Sequence, residues 1–320
     1  MRKTNIDLQQ YYQDVPFPIV YELESKDKMF ALEDWIGRHK QELEAELHSS
    51  GAILFRGLSI VNDQDFDRFI RAFFWPSFTY NESLSNAVRR NLTELVFTAN
   101  EAPSSLSIFL HHEMAQTPIY PSKLFFFCER ASDIGGATPV CRSDILLLHL
   151  QRELPKFIEA CEEKGVRYSQ IMPSDNNLLS GQGRSWRNTL SVNNTEDAES
   201  KLKKLNYTWQ WESDGALNIT TPVLPAIKVL TDGRKVFFNQ LIAAYRGWKH
   251  STAVAGKSIC FGDESIISDD DMTIVSRIAD DLTFNISWQA GDVALLDNFL
   301  VMHGRHPFEG KRSVFASLVA

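Results

Sequence analysis

His111-x-Glu113 and, far downstream, His303 constrain what these 320 residues can fold into more than any other feature. Two imidazoles and one carboxylate can grip one face of a metal ion and leave the opposite face open. Metal–ligand bonds are only about 2 Å long, so a fold that uses all three must bring an early and a late segment side by side. The local spacing has its own logic. On a β-strand, residues i and i+2 project to the same side, so a strand through 111–113 points His111 and Glu113 at one ion and turns His112 away. His112 is the rival ligand to His111, and alternation with Glu113 disfavours it. In a chain with eight histidines a lone His-x-Glu arises readily by chance, so the surrounding sequence has to carry the rest.

The flanking segments supply that context. Ile108-Phe109-Leu110 leads into the first pair, and the strand-like run Lys123-Leu124-Phe125-Phe126-Phe127-Cys128 follows it. Before His303 lies Gly291-Asp292-Val293-Ala294-Leu295-Leu296, an apolar strand closed by the turn formers Asp297-Asn298. Arg312 opens a further strand, Ser313-Val314-Phe315-Ala316-Ser317-Leu318-Val319. Both halves of the motif therefore sit at strand ends, where a rigid scaffold carries chemistry. An open-faced set of two histidines and one carboxylate is that of non-haem Fe(II) oxygenases, with O2 and an organic co-substrate in the vacant positions. A cation at Arg312 suits a carboxylated co-substrate, since a buried carboxylate needs a charge-assisted, bidentate partner; Lys311 beside it is the competing choice for the buried cation.

Elsewhere the periodicity predicts a helix over 29–50 stopped by Gly51, a buried strand over Ala52–Gly57, and a helix over 64–74 capped by Asn62 or Asp63. Leu146–Cys161 reads as a helix broken or restarted at Pro155. Asn194–Leu205 reads as a solvated helix, with acids early and lysines late as the helix dipole favours. Asp232-Gly233, between two short apolar runs, marks a hairpin. The acidic stretch 263–281 fits a helix or a surface loop. No repeat or linker divides the chain, and a metal site needs both ends of it. The expectation is one domain over 1–320 with a helical insertion within about 145–235.

A net charge of −8 argues against a general nucleic-acid binder. Cys128, Cys141, Cys161 and Cys260 form neither a CxxC pair nor a dense disulfide framework. Without an apolar N-terminal core of signal-peptide length, or a stretch approaching ~20 apolar residues, the chain reads as a soluble cytoplasmic protein with reduced thiols and no membrane partner.

Leu110-His111-His112-Glu113 continuing to Gly135-Gly136-Ala137-Thr138-Pro139, together with Trp288-x-x-Gly291-Asp292 through Asp297-Asn298, His303-Gly304-Arg305, Phe308 and Arg312, resembles the taurine dioxygenase/clavaminate synthase-like (TauD/TfdA) superfamily of Fe(II)/2-oxoglutarate-dependent oxygenases. Glu113 in place of the commoner Asp, and His303-Gly304-Arg305, point to its SyrP-like branch. The resemblance runs from about Gly51 to the C-terminus and is sharp at the two motif blocks. It implies a mainly β fold with flanking helices, the double-stranded β-helix or jelly roll. It also implies His111, Glu113 and His303 as iron ligands and catalytic centre, with Fe(II) and 2-oxoglutarate as cofactors and O2 as co-substrate. Thr138 and Arg312 would bind the distal carboxylate of 2-oxoglutarate; by itself, Thr138 after Gly135-Gly136 equally suits a turn hydroxyl.

Where members that bind a sulfonate or carboxylate substrate carry a further arginine, this chain has Ala316, and Arg305 is the cation available to compensate. Asn239 and Gln240 could face the metal pocket, Gly183–Arg187 resembles a segment of the branch, and Tyr80-Asn81-Glu82 is placed in a lid region. Glu113 fills the position that halogenases of this type leave for chloride, so hydroxylation of an unactivated C–H bond is the expected reaction. The expected substrate is an amino acid or amino-acid-derived group, free or tethered to a carrier protein, in natural-product biosynthesis. Desaturation or cyclisation would use the same ligands, and a more remote alternative is a non-catalytic metal-binding protein on the same fold.

Overall fold

The computed structural model describes residues 1–23, 31–78, 83–85, 87–176, 183–248 and 258–320. The expected lid residues Tyr80-Asn81-Glu82, and the first residues of the expected 29–50 helix, lie outside these. Two facing sheets form the centre. The larger has seven strands in the order Arg2–Thr4, Ile19–Glu22, Ala52–Arg56, Val293–Asp297, Lys123–Arg130, Ser313–Val319, Phe97–Thr98. The smaller has four, in the order Phe284–Ile286, Thr138–Arg142, Val301–Arg305, Ile108–His111, all antiparallel. Late strands are interleaved among early ones in both sheets, as the split metal motif requires.

The central strands of the larger sheet read as unbroken apolar runs because both of their faces are covered. Ala52, Leu54, Leu124, Ala294, Leu296, Ala316 and Leu318 face the smaller sheet and pack with Val140, Phe284, Ile286 and Val301. The alternate residues Ile53, Phe55, Phe125, Phe127, Val293 and Leu295 face the other way, onto Trp35, Ile36, Leu43, Leu47, Phe66 and Phe69 of two helices. Those helices are Leu32–Ser50 and Asp63–Arg71. The first stops at Gly51, whose φ of 87° is the left-handed conformation glycine adopts without strain, and whose N–H returns to the Leu47 carbonyl. Asn62 caps the second by accepting from the Asp65 N–H at 2.8 Å.

The segment between Arg142 and Phe284 covers the outer face of the smaller sheet. Its first helices, Ser143–Glu153 and Pro155–Lys164, are separated at Leu154, since Pro155 has no N–H to continue the first and is favoured at the start of the second. They bury Leu146, Leu147, Leu150, Phe157 and Ile158 against Leu110, Cys141 and Met302 from the underside of the sheet. Helices Thr195–Lys204 and Asp269–Asp281 are also present, the second resolving the choice between helix and loop over 263–281. The expected hairpin is formed by Lys228–Val229 and Lys235–Val236.

This segment is not simply helical, and it does not end near 235. It carries its own four-stranded sheet, ordered Thr208–Trp211, Leu217–Thr220, Val166–Met172, Ile259–Phe261. Val166 and Met172 face its core, while Trp209, Trp211 and Ile259 are only half-buried, which gives these strands a weaker signal than the doubly covered ones. Among the described residues no helix is long and apolar enough to cross a membrane. Cys128, Cys141 and Cys161 are buried free thiols and Cys260 is half-buried.

Candidate active site

His111 ends its strand and pairs in register with His303, in the middle of the neighbouring strand. Their ring centroids lie 4.4 Å apart. A side chain on Gly304 would place its Cβ 2.4 Å from the Ile108 carbonyl oxygen, so glycine is what lets the two histidine strands run this close. Glu113 reaches the same point: its Oε2 is 3.6 Å from His303 Nε2 and 3.9 Å from His111 Nε2. One donor atom from each of the three lies within 4.8 Å of the others.

The route by which Glu113 arrives differs from the sequence expectation. The strand ends at His111, and residue 113 lies in a turn. Asn298, fully buried, holds that turn from the far end of the chain. Its Oδ1 accepts from the Glu113 N–H at 2.8 Å, and its Nδ2 donates to the Glu113 carbonyl at 3.0 Å and to the Pro121 carbonyl at 2.8 Å. His112 turns away into the protein, where its Nδ1 bonds the Asn298 carbonyl and its ring packs on Phe238. The rivalry between His111 and His112 thus resolves geometrically towards His111, by an asparagine clamp in place of strand alternation.

The electrostatics suit a metal. His111 Nδ1 lies 2.8 Å from the Phe109 carbonyl, which can only accept, so the proton sits on Nδ1 and Nε2 keeps its lone pair. Burial, then the nearby His303 ring, pushes the His111 imidazole down to about 4, leaving it neutral at pH 7. For Glu113, burial alone would raise the carboxyl. The Arg89 charge, then the adjacent His303 and His111 rings, outweigh it, and the pKa is lowered. Arg89 Nη2 sits 3.0 and 3.2 Å from the two Glu113 oxygens, with both side chains buried. Sequence reasoning missed Arg89, since Arg89-Arg90 falls in a stretch with no periodicity and no motif.

His111, His303, Thr138, Arg312, Phe126 and Arg89 line one cavity of about 50 Å3. Thr138 Oγ1 accepts from Trp288 Nε1 at 3.0 Å, tying together two residues of the sequence pattern. Arg312 Nε donates to the Gly136 carbonyl at 3.0 Å, and its terminal nitrogens make no hydrogen bond with any described residue. Burial, then the charge of Arg305, lowers its pKa to about 10, still fully charged at neutrality. Lys311 is exposed, so Arg312 is the basic residue turned inward.

Three expected substrate residues are differently employed. Arg305 lines the cavity, but its terminal nitrogens donate to the carbonyls of Asn100, Ala102, Pro103 and Leu106 at 2.7–3.3 Å. It pins the 100–106 loop, and its hydrogen bonds are not directed at a substrate. Asn239 is fully buried, donating to the Ala226 carbonyl and accepting from the Leu241 N–H. Gln240 donates to the His112 carbonyl at 3.0 Å while its own N–H is taken by the Tyr168 hydroxyl. Neither amide lines the metal cavity. They brace the backbone beside the site.

The donor set fits a first-row divalent metal: two imidazole nitrogens and one ionised carboxylate oxygen converge, with no fourth protein ligand among the described residues. Comparison with known proteins agrees with this chemistry. Residues 18–318 match the family described as taurine catabolism dioxygenase TauD, TfdA family. A clavaminate synthase-like protein of Arabidopsis thaliana is 35% identical over 99% of this chain and 97% of its own. The dapdiamide synthesis protein DdaC of Enterobacter agglomerans is 28% identical, covering 85% of this chain and 83% of its own. Among solved structures, AAD-2 in complex with Mn(II) and N-oxalylglycine shares the fold, with a TM-score of 0.56 at 12% identity over 98% of this chain and 96% of that one. The chain belongs to the TauD/TfdA family of 2-oxoglutarate-dependent non-haem iron dioxygenases.

Proposed function

We propose that His111, Glu113 and His303 hold Fe(II), that Thr138 and Arg312 hold 2-oxoglutarate, and that the enzyme oxidises an unactivated C–H bond of an amino acid or amino-acid-derived substrate, most simply by hydroxylation. The observation that carries this reading is the convergence of all five side chains, from segments at both ends of the chain, on one small buried site. Iron, when bound, supplies the redox chemistry that couples consumption of O2 and 2-oxoglutarate to oxidation of the substrate.

The chain's own groups have definite tasks. His111 and His303 offer imidazole nitrogens, and Glu113 offers the one negative charge. Arg312, buried and charged with its terminal nitrogens uncommitted to described residues, suits a bidentate pair with the distal carboxylate of the co-substrate. Because Trp288 donates to Thr138 Oγ1, the Thr138 hydroxyl proton is left to donate to the same carboxylate. Phe126, its ring 5.2 Å from that of His303, packs beside that ligand and lines the cavity. The match to a dapdiamide synthesis protein supports an amino-acid-derived substrate in natural-product biosynthesis.

Anaerobic titration of the purified protein with Fe(II) and 2-oxoglutarate should produce a visible metal-to-ligand charge-transfer band that His111→Ala abolishes. Arg312→Ala should raise the 2-oxoglutarate needed for half-saturation at least tenfold, about 1.4 kcal/mol. Iron binding without the band would remove 2-oxoglutarate as co-substrate.

A further inference from the structure

A second cavity, of about 500 Å3, lies on the other side of Arg89, which lines both it and the metal cavity. Its size is that of a small-molecule site, and none of the residues given roles in holding iron or 2-oxoglutarate lines it. The lining is polar and of one sign. Arg89, Arg184 and Arg187 contribute cations, Asn91, Asn176 and Asn188 contribute amides, and none of its described lining residues is acidic. This is unexpected in a chain of net charge −8. Arg89 is paired with Glu113 and Arg184 is bonded within the protein, so Arg187 is the residue that offers its charge to a ligand here, and a cation in a concave lining favours an anion.

Arg187 is the cation best disposed to meet a ligand. Its Nη1 donates to the Ser174 carbonyl at 3.1 Å, and its guanidinium lies 4.2 Å from the ring centre of Trp186, which is buried. A carbonyl and an aromatic face orient a guanidinium without neutralising it. Arg184 is fixed deeper, its Nη1 on Ser83 Oγ and the Ser85 carbonyl. In the metal cavity, by contrast, Arg305 is occupied by four carbonyls and Arg312 is assigned to 2-oxoglutarate.

We infer that the larger cavity binds the oxyanion head group, carboxylate or phosphate, of the molecule oxidised at the metal, with Arg187 as the residue that reads its charge. The inference deepens the dioxygenase reading and rests on it for the identity of the ligand as substrate. Arg89, bonded to Glu113, is the residue that both cavities share.

The test is calorimetric titration of protein loaded with Mn(II) and 2-oxoglutarate. The probes are N-acetyl-L-alanine, its neutral carboxamide, and 4′-phosphopantetheine. At least one anionic probe should bind and the carboxamide should not. Binding of the carboxylate probe points to a free acid substrate, and binding of the phosphate probe to a carrier-tethered one. Arg187→Gln should weaken the binding at least tenfold and Arg187→Glu should abolish it. The 2-oxoglutarate affinity of both variants should stay at the wild-type value, which also reports that they are folded. Equal binding of the carboxamide, no binding of either anion, or wild-type affinity in Arg187→Glu would overturn the inference. Repeating the titration on metal-free His303→Ala separates the two readings. Arg187-dependent anion binding there would stand even if 2-oxoglutarate proved not to be the co-substrate.

Discussion

Asn298 shows how much of this site is decided by a residue that chemistry alone would not single out. In sequence Asp297-Asn298 reads as a pair of turn formers within the second motif block, with no role of its own, yet the Asn298 carboxamide satisfies three buried backbone groups and sets where Glu113 points. Removing it strands those groups, at about 1–3 kcal/mol for each one left unsatisfied. Asn298→Ala should therefore lower stability by about 3 kcal/mol in urea titration. It should also weaken Mn(II) binding, since Glu113 loses its aim. If stability falls while metal affinity holds, Asn298 supports the fold without positioning the ligand. Arg89 is the companion case. Its charge keeps a buried carboxylate ionised before any metal arrives, and only the folded structure brings it to Glu113.

Among elements, the parts legible in sequence were those whose cause is local. Asn62 caps its helix, Pro155 divides two helices and Asp232-Gly233 turns a hairpin, because each acts through its own backbone and nearest neighbours. The doubly covered strands were legible too, as runs such as Leu124-Phe125-Phe126-Phe127. What escaped was non-local. The strand at His111 ends where a residue from the other half of the chain captures the backbone. The sheet within the 142–284 segment is built of short strands, some with exposed faces, whose pairing no local period reveals. The grouping of His111, Glu113 and His303 was legible because two motif blocks carry it, whereas Arg305, Asn239 and Gln240 were polar residues near the right blocks with backbone partners that only folding supplies. Gly304 gives a test at this scale. Gly304→Ala would force apart the His303 and Ile108 strands, because its Cβ would meet backbone that cannot swing aside. The variant should lose about 1–3 kcal/mol, the usual cost of overpacking, and bind Mn(II) more weakly than wild type. A variant within about 0.5 kcal/mol of wild type that binds metal normally would show that the strands can part without harm to the site.

At the scale of the whole molecule, three layers of apolar packing stack across the two sheets: helices on the outer face of the large sheet, the two-sheet interior, and the 142–284 segment outside the smaller sheet. Cys128, Cys141 and Cys161 sit in the large sheet, the small sheet and that outer segment respectively. Burial pushes each thiol up to about 12, so none offers thiolate to a disulfide reagent at pH 8 until its surroundings open. Their labelling rates therefore report three local opening free energies. If the chain is the one domain that its split metal motif implies, the three thiols should react at a common slow rate, with half-buried Cys260 reacting earlier as an internal control. Saturating Mn(II) and 2-oxoglutarate should slow all three together, by about a hundredfold when ligand is a hundred times its dissociation constant. Faster labelling of Cys161, insensitive to metal and co-substrate, would instead mark the outer segment as a unit that opens on its own. The large cavity beyond Arg89, lined in part by residues of that segment, would then change shape without disturbing the iron site.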